Sequence, residues 1–277
     1  MVSLEMTGVV EMLLLGLLGL AVGLVGTLLG VGGGLIVIPV LLAFYGLSPG
    51  SAAGTSLVVV LINALSGTLA YLRQRRVDVG VGLAFSTGAI PGSMVGAFAT
   101  MVVSSESFRM YFAIVLISTA IYIAFARRQG VSRGGPLRNG RRRRLVDHAG
   151  REYEYSVNPY LIALFSVLSG FVAGFFGIGG GVVHVPVMML LFGVPAHIAT
   201  ATSHFILTFT AASGIAAHAA LRHVDLFIGG AIASGALVGA QIGAKTSERF
   251  SSRALELLFA AFMIFIAINL LLQPSQN

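Results

Sequence analysis

The sequence predicts an all-α polytopic membrane protein, built from two inverted repeats of about five hydrophobic segments each, with Gly-rich broken or short helices at the repeat interface. Three observations carry this: an apolar composition, an internal duplication at constant spacing, and a glycine-rich break near the start of each copy. Of the 277 residues, 56% are hydrophobic, 10% are charged and 36 are glycine, and the mean hydropathy is +0.94. That is too little charge for a soluble surface.

In the first copy the apolar runs cover roughly 8 to 29, 34 to 46, 52 to 72, 79 to 101 and 108 to 126. Met1-Val2-Ser3-Leu4-Glu5 places no basic residue before the first run, which therefore reads as a span and not as a cleaved signal. In the second copy the runs cover 159 to 177, 181 to 193, 198 to 221, 226 to 244 and 254 to 272. A span needs about 20 residues, so 34 to 46 and 181 to 193 read as half-helices or strongly tilted pieces. One offset of 147 residues aligns the copies without a gap. It sets Gly30 on Gly177, Pro39 on Pro186, Thr55-Ser56 on Thr202-Ser203, Arg75 on Arg222, Asp78 on Asp225 and Gly96 on Gly243. The domains expected are a first transmembrane repeat (1–127), a basic cytoplasmic linker (128–157) and a second transmembrane repeat (158–277).

The breaks are Gly30-Val31-Gly32-Gly33-Gly34, followed by Pro39, and Gly177-Ile178-Gly179-Gly180-Gly181, followed by Pro186. Inside a helix each glycine costs roughly 1 kcal/mol against alanine and a proline about 3. A continuous helix is thus excluded at both places. Irregular backbone at membrane depth persists only where protein buries it or where it lines a polar cavity. A half-helix beginning at such a break turns free N–H groups and its positive end toward the gap, which suits an anion. Two breaks at matching positions therefore point to a substrate site between the halves, at Gly32, Gly33, Gly34, Gly179, Gly180 and Gly181. By contrast Gly92, Gly96, Gly239 and Gly243, spaced in fours, read as helix-packing glycines.

Thr55, Ser56, Thr202 and Ser203 head the next run in each copy and offer hydroxyl donors to the same anion. His204 stands where the first copy has Leu57, and His184 where it has Val37. An ionisable residue within a membrane is a functional candidate, so His204 is assigned to substrate contact or proton relay and His184 to proton relay. His218 and His223, at a run end and in a loop, read as solvated. No acidic residue lies deep in any run, which disfavours carboxylate-based cation coupling.

Of the 17 lysines and arginines, nine fall between Arg127 and Arg151. That is a topology signal and not a nucleic-acid face. If each broken pair changes side an even number of times, fifteen basic residues face the cytoplasm and only Arg109 and Arg222 face out. The halves are then inverted, the linker is cytoplasmic and both termini are outside. The linker, from Arg127 to Asn158, is polar and glycine-punctuated and reads as a mobile segment, with anionic headgroups as partners for its arginines. With no cysteine and no metal-ligand, phosphate-loop or nucleotide motif, no cofactor and no metal are expected. Neither is a nucleic-acid partner, and the sequence does not set the oligomeric state. Ser213-Gly214 with His218 lacks the glycine before the serine that an intramembrane serine protease has, so an enzyme is the weaker alternative. The nearer one is a passive anion channel.

The duplicated G-x-G-G-G with a proline five residues on resembles the sulfite exporter TauE/SafE family of prokaryotic membrane transporters, over nearly the whole chain apart from the basic linker. The resemblance implies a secondary transporter in the cell membrane that moves small sulfur-containing anions such as sulfite, thiosulfate, sulfoacetate or other organosulfonates. Export is the implied direction, with rocking of one half against the other and proton coupling as the accompanying expectation.

Overall fold

The computed structural model describes residues 2–125, 140–247 and 253–272. Ten α-helices form among them: α1 (Val2–Leu29), α2 (Gly34–Phe44), α3 (Pro49–Arg73), α4 (Val79–Ala99), α5 (Ser105–Phe125), α6 (Pro159–Phe176), α7 (Gly181–Leu190), α8 (Ala196–Ala220), α9 (Leu226–Thr246) and α10 (Arg253–Leu272). Strands β1 (Arg141–Val146) and β2 (Glu152–Val157) lie between α5 and α6. Among the described residues seven helices are long and apolar enough to cross a membrane, and the chain is a multi-pass membrane protein. The two short helices, of 11 and 10 residues, rise only about 16 Å at 1.5 Å per residue. That is about half the hydrocarbon thickness.

Local chemistry sets the helix starts. Ser48, Asp78, Asn158 and Asp225 accept backbone N–H groups at the N-termini of α3, α4, α6 and α9, as short polar side chains do at a first turn. Pro49 and Pro159 occupy the first turn, where no donor is needed. The short helices begin differently. Gly33 and Gly180 precede them at φ of 87° and 89°, the left-handed region that only glycine enters without strain.

The duplication extends to backbone torsions. Gly30, Gly32 and Gly46 have φ of 77°, 81° and 60°, and Gly177, Gly179 and Gly193 have 75°, 82° and 66°. Even Arg75 and Arg222 share the left-handed region, at 53° and 56°. The broken pair in each half returns toward the side it left. Tyr45, just after α2, donates its hydroxyl to Glu11 near the start of α1 at 3.0 Å. Phe192 and Val194, beyond α7, pack in one cluster with Val157, just before α6, and Ile162 in its first turn.

The halves are not separately packed bodies. The most extensive helix pairs are α1 with α9 and α4 with α6, followed by α3 with α8, α3 with α9, α4 with α8 and α5 with α10, and each joins one half to the other. Glycines permit the closest of these approaches. A Cβ on Gly92 would stand 3.0 Å from the Phe171 nitrogen, and one on Gly239 would stand 2.8 Å from the Leu24 nitrogen. Gly96 and Gly243 face Phe175 and Leu24 in the same way. The four packing glycines thus hold the seams α4–α6 and α9–α1, as small residues do in membrane bundles.

The linker departs from the expectation of a mobile segment. Between residues 140 and 158 it is a hairpin, with Arg143 opposite Tyr155 and Arg144 opposite Glu154. Composition suggested disorder, but Arg141 to Val146 and Glu152 to Val157 are paired strands whose basic and acidic-aromatic residues complement each other across the ladder. Arg144 and Glu152 form an ion pair, and Tyr155 and Val157 are buried against Phe192, Val194 and Ile198. The rest of the linker, 126 to 139, lies outside the described residues.

Candidate functional site

The two breaks meet. A Cβ on Gly34 would lie 2.7 Å from both the Gly177 oxygen and the Ile178 Cα, and one on Gly181 would meet the Gly30 carbonyl and stand 2.8 Å from the Val31 Cα. Gly32 and Gly179 both lie against Val60 and Leu207. Each of those side chains is the twelfth residue of a 25-residue helix, so the seam lies midway along α3 and α8. The N–H groups of Gly34 and Leu35, and of Gly181 and Val182, make no bond to a described backbone carbonyl. Helix starts leave such donors free.

Thr55, Ser56, Thr202 and Ser203 cross between the halves. Ser56 donates its hydroxyl to the Gly177 carbonyl at 2.9 Å, and Ser203 donates to the Gly30 carbonyl at 2.8 Å. The Asp225 N–H donates to the Thr55 hydroxyl oxygen, and the Asp78 N–H to that of Thr202, both at 3.0 Å. Reciprocal bonds of this kind follow from a pseudo-two-fold relation between the halves. They commit the serine protons to the break carbonyls, while the threonine protons stay available.

The histidines separate. His204 is fully buried on α8; its Nδ1 lies 3.1 Å from the Thr200 carbonyl and its ring meets Tyr71 edge-on at 5.5 Å. A carbonyl only accepts, so Nδ1 carries the proton, and in the neutral ring Nε2 is an acceptor. That atom has no partner. His184 on α7 is also fully buried, against Phe85 on α4, with neither ring nitrogen bonded. His218 is not solvated as expected: it is fully buried and donates from Nε2 to the Gly174 carbonyl at 2.8 Å. The physical reason is Gly54, whose missing side chain lets α3 close over the His218 ring.

Sequence reasoning missed the group around His204. Asn63 on α3 accepts the Thr27 hydroxyl at Oδ1, at 2.9 Å, while its Nδ2 has no partner. The Tyr71 hydroxyl donates to the Thr27 carbonyl at 3.0 Å. Gly67 leaves room for the imidazole, since a Cβ there would stand 2.6 Å from His204 Cδ2 and 3.3 Å from Nε2. Thr27, Asn63 and His204 have no exposed surface at all. Only the polarity of Asn63 inside an apolar run marked it in the sequence.

At one end of α4 the hairpin closes over Asp78, which accepts from Arg143, from Val81 N–H at 3.0 Å and from the Tyr155 hydroxyl at 2.6 Å. Burial raises the Asp78 carboxyl, but the bonds from Arg143, Tyr155 and Val81 outweigh it and hold the group below its usual range. Burial and the neighbouring carboxylate push Tyr155 up.

A family described as "Sulfite exporter TauE/SafE" matches residues 15–270. The chain belongs to that TauE/SafE family. Its similarity to the probable membrane transporter protein YunE of Bacillus subtilis is 36% identity, covering 92% of this chain and 95% of the relative. The probable membrane transporter protein MJ0441 of Methanocaldococcus jannaschii is 24% identical over 98% of this chain and 99% of its own. Sulfite exporter TauE/SafE family protein 3 of Arabidopsis thaliana is 26% identical over 45% of this chain and 27% of its own. No solved structure matches the chain. Among the described residues of this TauE/SafE protein, no group of three or more His, Cys, Asp or Glu is placed to hold a metal ion.

Proposed function

We propose that this TauE/SafE protein is a secondary transporter that exports small sulfur-containing anions, sulfite, thiosulfate, sulfoacetate or another organosulfonate, across the cytoplasmic membrane of a prokaryote. The observation that carries the reading is the meeting of two glycine breaks midway along α3 and α8, each starting a half-helix with unbonded N–H groups. Gly32, Gly33, Gly34, Gly179, Gly180 and Gly181 form the anion seat. Ser56 and Ser203 hold the break carbonyls aside, Thr55 and Thr202 supply hydroxyls, and His204 and His184 serve proton movement. Repeats inverted in the membrane place the hairpin in the cytoplasm and the termini outside. The hairpin arginines meet anionic headgroups there.

The seams α1–α9 and α4–α6 make the moving bodies cross-repeat pairs. Rocking of one sequence half against the other would separate the widest packed surfaces in the molecule. The function is transport without catalysis.

The test is counterflow of radiolabelled sulfite, thiosulfate and sulfoacetate in proteoliposomes, with and without a pH gradient. Saturable, gradient-driven flux excludes a passive channel. Gly33→Val and Gly180→Val abolish flux while the protein stays inserted. Gly46→Ala shares the left-handed φ but meets nothing within 4 Å, so it retains flux. Full activity in both valine variants refutes the site.

A further inference from the structure

We infer that the nest formed by Thr27, Asn63, Gly67, Tyr71 and His204 is a subsite for an oxyanion that keeps one hydroxyl proton, such as hydrogen sulfite. The nest holds two buried polar atoms that the protein leaves unbonded, the donor Nδ2 of Asn63 and the acceptor Nε2 of His204. Both are fixed in orientation: Thr27 donates to Asn63 Oδ1, and His204 Nδ1 donates to Thr200. Asn63 lies one turn before Gly67 on the same face of α3, and the Gly67 Cβ position is 3.3 Å from Nε2.

The fold does not require these atoms. At the positions matched by the 147-residue offset stand Gly174, Thr210, Gly214 and His218 of the second half and Leu57 of the first. There Thr210 donates to the Gly179 carbonyl at 3.1 Å, His218 donates from Nε2 to Gly174 and leaves only its Nδ1 unbonded, and Leu57 occupies the place of His204. The first nest differs in leaving a donor and an acceptor unbonded together, and that pair points to a ligand. The nest also adjoins the first break: Thr27 follows Gly26, whose carbonyl accepts the N–H groups of Val31 and Gly32.

A ligand that satisfies both atoms accepts from an amide and donates to an imidazole. A fully deprotonated oxyanion offers no donor, and a sulfonate has carbon where the hydroxyl stands. A protonated monoanion has both, and the adjoining helix starts favour its charge.

This inference rests on the transporter reading for its flux arm alone. Purified protein in mildly acidic buffer is titrated with hydrogen sulfite and with methanesulfonate, which replaces the hydroxyl by a methyl group, and flux of both is measured in proteoliposomes. The chain has no cysteine for sulfite to attack. The wild type binds hydrogen sulfite about tenfold or more tightly than methanesulfonate, since a site built for a hydroxyl rejects an analogue that lacks it. His204→Leu, which installs the residue of the other repeat, removes that preference by weakening hydrogen sulfite binding. Asn63→Thr, likewise borrowed, weakens both anions alike. Equal binding of the two anions by the wild type, binding of neither, or a preference that survives in His204→Leu overturns the subsite. Selective binding without flux leaves the subsite standing and refutes transport.

Discussion

The nest around His204 and its counterpart around Leu57 occupy equivalent places in a duplicated fold, yet the first holds an unbonded donor and an unbonded acceptor while the second leaves only one imidazole nitrogen, His218 Nδ1, without a partner. Tyr71 and His218 do the same work, each donating to the carbonyl at the end of a long helix, Thr27 or Gly174. Asn63 and Thr210 do not, since Thr210 satisfies itself on three carbonyls while Asn63 keeps a free amide. The scaffold is therefore symmetric and the chemistry is not. Duplication supplies the frame, and divergence at a few positions makes the two nests chemically different.

The largest expected effect tests the frame. Gly92→Leu and Gly239→Leu drive a side chain into backbone in matching seams, and each should cost about 3 kcal/mol, the upper end for overpacking. Size-exclusion profiles and thermal unfolding in detergent should show the two losses equal; a tolerant half would break the symmetry claim. Next come Ser56→Ala and Ser203→Ala, each of which strips a donor from a buried carbonyl at about 1–3 kcal/mol. Matched Tm losses are expected. Third, Gly67→Ala should lower flux about tenfold or more by displacing the imidazole. Gly214→Ala, which meets the flexible end of Leu57 and the Ser93 hydroxyl, should change flux much less. Fourth, Asp78→Asn keeps a helix cap but loses the charge opposite Arg143, which is 39% exposed and so screened. The loss is about 1 kcal/mol or less, visible as faster proteolysis of the hairpin, while Asp225→Asn is silent.

The smallest effect is a pH dependence of the hairpin. The Asp78 carboxyl is held below its ordinary value of 3.8 in the folded protein. Its contribution is complete above that value and is lost as pH falls through the lower, folded one. Hydrogen exchange in 141 to 157 should therefore accelerate only in strong acid. Acceleration near neutrality would reject Asp78 as the anchor.

The parts legible in sequence are those that repeat or that break a rule. The glycine breaks, the 147-residue offset and the packing glycines announced themselves because glycine and proline are costly in apolar helices. The hairpin was hidden because its arginines were weighed by composition, while the alternation of Glu152, Tyr153, Glu154 and Tyr155 against Arg141 to Arg144 was the informative signal. The nest was hidden for another reason. Asn63 and His204 are 141 positions apart, and a contact at that distance leaves no periodic trace. His218 misled through its position near a helix end, where exposure depends on Gly54 of another helix.

The interlocked seams also bear on how the chain is made. Helix α1 has emerged in full by Leu29, but its partner α9 begins only at Leu226, about 200 residues later. At roughly 5–20 residues per second, the glycine face of α1 waits some 10–40 s in lipid before it is covered. Truncation anywhere before α9 leaves that face open, so a prematurely terminated chain is exposed to membrane quality control even when every span it contains is intact.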